Sequence, residues 1–403
     1  MHVHRLFSPN DRIRVLISVM DAKTQQLIQA IHDCPTQLVY VAAGAGTQAL
    51  SDILGVAGAT RTLLEALVPY SESAFIDFLG QKPEQYVHPI TAKLMAGRAF
   101  TRARQLDDHN LPLIGVSCTA TIITDRPKKG EHRAHIATWQ AERLVRYGIQ
   151  LQKGARTRPG EEDVVSRFIL NAIATGCGIN HQIDIQLLPG DMLEEEVSDF
   201  ADAVKKLNNQ ELDFFGVHAH GLIRTRKATP RLLLSGAFNP LHEGHLGLAK
   251  TAVSLYDQPI AFELAAFNVD KPPLLADNIL NRMAQFAGRW PVYVTNAPTF
   301  VEKARLFPGA TFVVGYDTAV RILHPRYYDN SKQKMLHALQ EIRGLGCHFL
   351  VAGRVNQQGN FQDLTTLHIP AEAQNLFTSI PADRFRHDIS STELRAYGQK
   401  GSR

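Results

Sequence analysis

The chain has 403 residues, of which 44% are hydrophobic and 20% charged. These are ordinary globular proportions and exclude a disordered, collagen-like or coiled-coil chain; the length corresponds to roughly two to three domains. Lys plus Arg number 43 and Asp plus Glu 39, a net charge of +4, and so small an excess predicts no nucleic-acid partner.

Cys34, Cys118, Cys177 and Cys347 form no CxxC pair, which argues against a zinc ribbon, a thioredoxin-type site or a disulfide framework and for reduced thiols. The apolar run Val15–Met20 ends at Asp21 and is too short for a signal peptide. Nothing approaches the ~18 apolar residues of a membrane helix. A cytoplasmic protein without a membrane partner is expected.

In chain order, Gln37–Ala43 (QLVYVAA) is apolar and β-branched and predicts a strand. A small-residue turn at Gly44-Ala45-Gly46 follows, then a helix over Thr47–Leu54. Ile90–Gln105 reads as a helix, Leu111–Ser117 and His135–Trp139 as strands, and Glu161–Ala174 as a helix with Val164, Val165, Phe168, Ile169 and Ala172 at helical spacing. This alternation predicts a parallel α/β sheet.

From about 176 to 230 the pattern changes. Six acids lie between Asp191 and Asp202, and Arg224, Arg226, Lys227 and Arg231 follow. This stretch reads as a solvated connector with one helix near 193–207; the alternative is that the two charge runs pair across a domain interface. The expected division is a domain over 1–180, a linker over 181–230 and a second domain over 231–403.

The last part restarts with Arg231–Leu234. Further strands are predicted at Ala261–Ala265, Val292–Thr295, Thr311–Val314 and His348–Ala352, with helices over His245–Leu255, Asp277–Gly288, Thr299–Leu306 and Lys332–Ile342 between them. Five strands separated by helices predict a Rossmann-like doubly wound sheet.

Two motifs carry chemistry. The first, Ser235-Gly236-Ala237-Phe238-Asn239-Pro240-Leu241-His242-Glu243-Gly244-His245-Leu246, follows the opening strand directly. His242 and His245, three apart, share one side of a first helical turn, and Gly244 lets a ligand approach backbone. A helix start carries unpaired N–H groups and the positive dipole end, which suits phosphate; with no third ligand nearby, no metal site is expected here. The second, Ile389-Ser390-Ser391-Thr392-Glu393-Leu394-Arg395, places hydroxyls at a helix start and a cation one turn on; alone it reads as a helix cap.

Together, in this order and about 145 residues apart, the motifs resemble the nucleotidyltransferase superfamily marked by HxGH and ISSTxxR, over roughly Arg231 to Gly398. The resemblance implies a Rossmann-like fold and attack of a phosphorylated partner on a nucleoside triphosphate, with pyrophosphate leaving. It implies that His242 and His245 are catalytic and stabilise charge at the α-phosphate. Gly236, Ala237, Phe238, Asn239, Gly244, Ser391, Thr392 and Arg395 would hold the nucleotide, with Mg2+ bridging the phosphates. Asn239-Pro240 and Phe312–Thr318 (FVVGYDT) resemble the nicotinamide- or nicotinate-mononucleotide adenylyltransferase branch. Lys271 and Asp317 are then the expected substrate contacts, Arg282 reads as a surface or salt-bridging residue, and Trp290 stays open between stacking and packing. Cytidylyltransferases share HxGH, so ATP or CTP is the donor, and a non-catalytic nucleotide sensor remains the alternative from another class. A homo-oligomer remains possible.

Residues from about 37 to 175 resemble the C-terminal amidohydrolase domain of the CinA family, through Val56–Thr60, Val68-Pro69-Tyr70-Ser71, Ala92–Ala99 and Leu113–Val116. That family carries Glu-Ser-Cys-Thr-Gly-Gly after its first strand, whereas Ala42–Thr47 contains neither Ser nor Cys. Its Lys five residues after the Tyr matching Tyr70 is Phe75 here, and its later Gly-rich loop is replaced by Ser117–Thr121. A catalytically degenerate domain is expected. Gly44-Ala45-Gly46 would either cradle a phosphate or belong to a mere scaffold.

Overall fold

The computed structural model describes residues 20–107, 109–126, 129–226, 230–267, 272–356 and 358–386. The first sheet is built from α1 (Ala22–Asp33), β1 (Gln37–Ala43), α2 (Thr47–Gly55), α3 (Ala59–Thr62), β2 (Leu63–Leu67), α4 (Glu72–Leu79), α5 (Pro89–Leu106), β3 (Leu113–Thr121), β4 (His132–Trp139), β5 (Arg143–Leu151), α6 (Arg158–Gly176) and β6 (Met192–Asp199). Its order is β2-β1-β3-β4-β5-β6. The strict alternation of β1 decides what covers it: Leu38, Tyr40 and Ala42 join the core under α1 and α6, while Val39 and Val41 join the one under α4 and α5.

The expectation of a parallel sheet holds for β2, β1 and β3, while β3 to β6 pair antiparallel. The links from β3 to β4 and from β4 to β5 are too short for the crossover helix that parallel neighbours need.

The second sheet follows, with α7 (Phe200–Asn208), β7 (Phe214–Val217), β8 (Ile223–Arg224), β9 (Leu232–Ser235), α8 (Glu243–Tyr256), β10 (Ile260–Ala265), α9 (Ala276–Met283), β11 (Val292–Thr295), α10 (Phe300–Leu306), β12 (Thr311–Gly315), α11 (Tyr316–Ile322), α12 (Lys332–Gly344), β13 (His348–Ala352), the hairpin β14 (Arg354–Val355) with β15 (Phe361–Gln362), and β16 (Phe377–Ile380). The eight-stranded order is β16-β13-β12-β9-β10-β11-β7-β8. From β16 to β11 every pair is parallel, and β7 adds an antiparallel edge. Counted from β9, this is the doubly wound dinucleotide-fold order, with its topological switch between β9 and β12.

The stretch expected as a connector instead supplies an edge strand to each sheet, β6 and β7 with β8. The helix expected near 193–207 begins only at Phe200. Before it, period-two alternation wins: Glu194 and Glu196 share one face of β6 and pair with Arg146 at 3.0 and 3.3 Å, and Glu196 also meets Lys93 at 2.9 Å. Glu194 and Glu196 therefore pair within the first sheet, and among the described residues neither pairs with Arg224, Arg226 or Arg231.

One continuous core joins both sheets. Ala92, Ala96 and Phe100 of α5, with Trp139 and Leu144, pack with Phe200, Phe238, Phe262 and Phe286. At the seam Gly97 and Gly288 touch through backbone: a Cβ on Gly97 would stand 2.4 Å from the Gly288 nitrogen. Gly288 has φ +69° and donates its N–H to Ala219 O at 3.0 Å.

Candidate active site at the switch point of the second sheet

β9 ends at Ser235, and the chain reaches α8 through the loop 236–242. Gly236 is demanded locally, since a Cβ would lie 2.8 Å from the Phe238 ring. Phe238 takes a left-handed backbone, φ 43°. Its wholly buried ring meets Phe262 at 5.4 Å, Phe286 at 5.3 Å and the His245 ring at 5.1 Å. That burial corrects one expectation: Phe238 anchors the loop in the core, and only its backbone remains for a ligand.

His242 caps α8 and His245 stands at its third position, with ring centroids 3.8 Å apart. The His242 N–H donates to His245 Nδ1 at 3.3 Å, so a neutral His245 carries its proton on Nε2. Burial, and then the His242 ring, push the His245 pKa down to about 3. At neutral pH it is therefore a hydrogen-bond donor without charge.

Two side chains from α9 and the turn after it hold this loop. Gln285 accepts from the Leu241 N–H at 2.7 Å and donates to Phe238 O at 2.9 Å. Arg282 donates to Ala237 O at 3.1 Å. Arg282 is thus a loop-bracing residue at the cavity, not the surface residue expected.

A cavity of about 560 Å³ opens beyond the strand ends and includes Gly236, Ala237, Asn239, Arg282, Lys303 and Arg321 in its walls. On its floor Lys303 Nζ lies 2.5 and 2.6 Å from the two Glu263 oxygens, and Thr295 Oγ1 donates to Glu263 at 2.7 Å. Both charged side chains are buried. Ser235 Oγ, also in the wall, is buried with no hydrogen-bond partner among the described residues. The motif reading missed Glu263 and Lys303; the available signal was a lone carboxylate inside the apolar run Ile260–Ala265.

Asp317 is placed in the first turn of α11, largely exposed, and forms an ion pair with Arg354. It does not line the cavity, whereas Thr318 does. Lys271, Ser391, Thr392 and Arg395 lie outside the described residues. Trp290 is half-buried, 5.7 Å from Phe262, and is a packing residue.

In the first sheet, the Gly44-Ala45-Gly46 turn sits after β1 as expected, but the start of α2 is already filled. Glu162 of α6 accepts from the N–H groups of Gly46 at 2.8 Å and Gln48 at 3.1 Å. The would-be phosphate is a carboxylate of the chain itself. Ser117 donates to Ala92 O at 2.7 Å, and burial pushes the Cys118 thiol up. Neither is a poised nucleophile.

No helix among the described residues is long and apolar enough to cross a membrane. They also hold no cluster of three or more His, Cys, Asp or Glu that would bind a metal ion.

The geometry defines a doubly wound α/β sheet with a cavity at its switch point. No family model matches the chain, and no curated protein does. Among solved structures, the chain is similar to the competence/damage inducible protein CihA from Agrobacterium tumefaciens, at 17% identity and TM-score 0.32, over 41% of this chain and 99% of that one. A CinA superfamily protein from Klebsiella pneumoniae gives 12% identity and TM-score 0.29, over 39% and 96%. One from Escherichia coli gives 14% and 0.26, over 40% and 91%. Likeness this low assigns neither a family nor an activity.

Proposed function

We propose that the second half of the chain is a nucleotidyltransferase, with ATP and a pyridine mononucleotide as the best-matched pair, and that the first half is a catalytically silent CinA-like domain. The observation that carries this is the His242–His245 pair, rings 3.8 Å apart at the start of α8, beside a cation-lined cavity at the switch point of a doubly wound sheet. That is where such sheets take nucleotides.

In the proposed reaction a phosphate oxygen of the acceptor attacks the α-phosphorus of the triphosphate. The new P–O bond forms as the bond to the β-phosphate oxygen breaks, and pyrophosphate leaves. No covalent intermediate on the protein is required; positioning and charge stabilisation supply the rate. His245 donates from Nε2 to an α-phosphate oxygen as charge builds there. The backbone of Gly236 to Asn239 receives the nucleotide, and Arg282 and Arg321 meet the anionic substrates. Ser391, Thr392 and Arg395 complete the phosphate site by their motif. Glu263 is committed to Lys303, so the donor set suits magnesium that arrives on the triphosphate better than a dedicated protein site.

The test is pyrophosphate release by the full chain with magnesium, with ATP and CTP each offered nicotinamide mononucleotide, nicotinate mononucleotide and phosphorylated alcohols. Release with ATP and a pyridine mononucleotide, reduced about 100-fold or more in His245→Ala, is expected. Release with CTP alone moves the chain to cytidylyl transfer, and triphosphate binding without turnover makes it a sensor.

A further inference from the structure

A second cavity, of about 650 Å³, lies between the two sheets. Its walls come from the end of α5, the turn between β4 and β5, the loop residues Pro240 and Leu241, and the α9 region. It holds two guanidiniums, Arg104 and Arg289, and two carboxylates, Asp107 and Glu142; neither guanidinium has a carboxylate at ion-pair distance among the described residues. Arg104 donates to the main-chain oxygen of Asn281 at 3.2 Å, so it spans from one half of the chain to the other. Arg289 stacks against Trp290 at 5.6 Å, and its Nε is buried with no hydrogen-bond partner among the described residues. Burial holds both below the usual arginine range. Each desolvated cation has one carboxylate near enough to favour its charge, Asp107 for Arg104 and Glu243 for Arg289, but neither guanidinium makes an ion pair among the described residues, and an anion between the walls would supply that contact.

We propose that this inter-sheet cleft binds a phosphorylated small molecule, with Arg104 and Arg289 as its phosphate contacts. A planar guanidinium with a free Nε matches phosphate oxygens through paired donors. The volume exceeds what a bare phosphate fills, and amide side chains such as Gln140 and Asn281 in the wall suit a hydroxyl-bearing body. The ligand would lie against Gln285 and Leu241, and thus behind the loop that ends in His242. The site is separate from the switch-point cavity, with which it shares no cationic residue, and it stands whether or not that cavity transfers nucleotides.

The experiment is calorimetric titration of the full chain, without triphosphate, using ribose 5-phosphate and inorganic phosphate as probes. Saturable binding of ribose 5-phosphate is expected, weaker for inorganic phosphate. Affinity should fall about tenfold or more in Arg289→Gln and in Arg104→Gln, and stay unchanged in Arg321→Gln, which alters the other cavity. Thermal melts of the variants confirm that they fold. No saturable binding up to millimolar probe overturns the proposal, as does binding lost in Arg321→Gln but retained in both other variants.

Discussion

Lys303 and Glu263 form a buried ion pair, the ammonium 2.5 and 2.6 Å from the two carboxylate oxygens, directly under the cavity beside β9. Gly236 donates its N–H to the main-chain oxygen of the same Glu263 at 3.0 Å. The floor of the site and the start of the HxGH loop are therefore tied through one residue.

Removing one partner leaves a buried charge alone. Lys303→Met should lower stability by about 3–5 kcal/mol. Lys303→Met combined with Glu263→Gln should recover much of that loss, because the Thr295 hydroxyl still pairs with the amide. Chemical denaturation of the single and double variants checks this; an equal loss in both would show that volume, not charge, matters here.

The loop's brace is Gln285. Its replacement by Ala removes the acceptor of the Leu241 N–H and the donor to Phe238 O. A cost of about 1–3 kcal/mol is expected, together with faster hydrogen exchange at the Leu241 amide. Unchanged exchange there would mean that Phe238 and Arg282 hold the loop without it.

Acid should weaken the fold through its histidines. Burial lowers the pKa of His245 to about 3 and those of His135 and His220 to about 4. Below pH 6.5 the unfolded chain takes up protons that the folded chain refuses, so stability falls as the pH drops from about 6.5 towards 4. Each such group contributes a slope of at most about 1.4 kcal/mol per pH unit. Above pH 7 these groups contribute no slope. His135→Gln should flatten the acid limb in a melting series between pH 7 and pH 4.5; an unchanged limb would remove His135 from the cause.

Glu162 is the internal anion of the α2 start. Glu162→Ala should cost about 1–2 kcal/mol, and added phosphate should restore part of it by binding the vacated N–H groups. Thermal melts with and without phosphate decide the matter, with sodium chloride as the ionic-strength control. A variant insensitive to phosphate would show that the turn collapses when the carboxylate goes.

Much of the second sheet was legible because each of its central strands is a short apolar run between helical patterns. Val292–Thr295 and Thr311–Gly315 lie where the sequence places strands. The HxGH segment was legible because its residues are consecutive. The Lys303–Glu263 pair was not, since 40 residues separate partners that meet only after β10 and α10 pack. β2 and β5 were missed for a different reason. Leu63–Leu67 carries no β-branched residue, and Arg143–Leu151 carries two arginines, one of which, Arg146, pairs with acids that come from β6. The plug at Gly46 was equally invisible: a Gly-rich turn shows donors, but the acceptor lies over a hundred residues away.

The contact of Gly97 with Gly288 gives the two halves a common fate. Where two backbones touch with no side chain between them, there is no layer that can be repacked to let one half slide or turn against the other. The apolar surface around that point belongs to neither sheet alone, so a chain cut between 208 and 214 would leave each piece with a wet, greasy flank. Heat should take the protein apart in a single step, with the first half serving as one side of a shared wall.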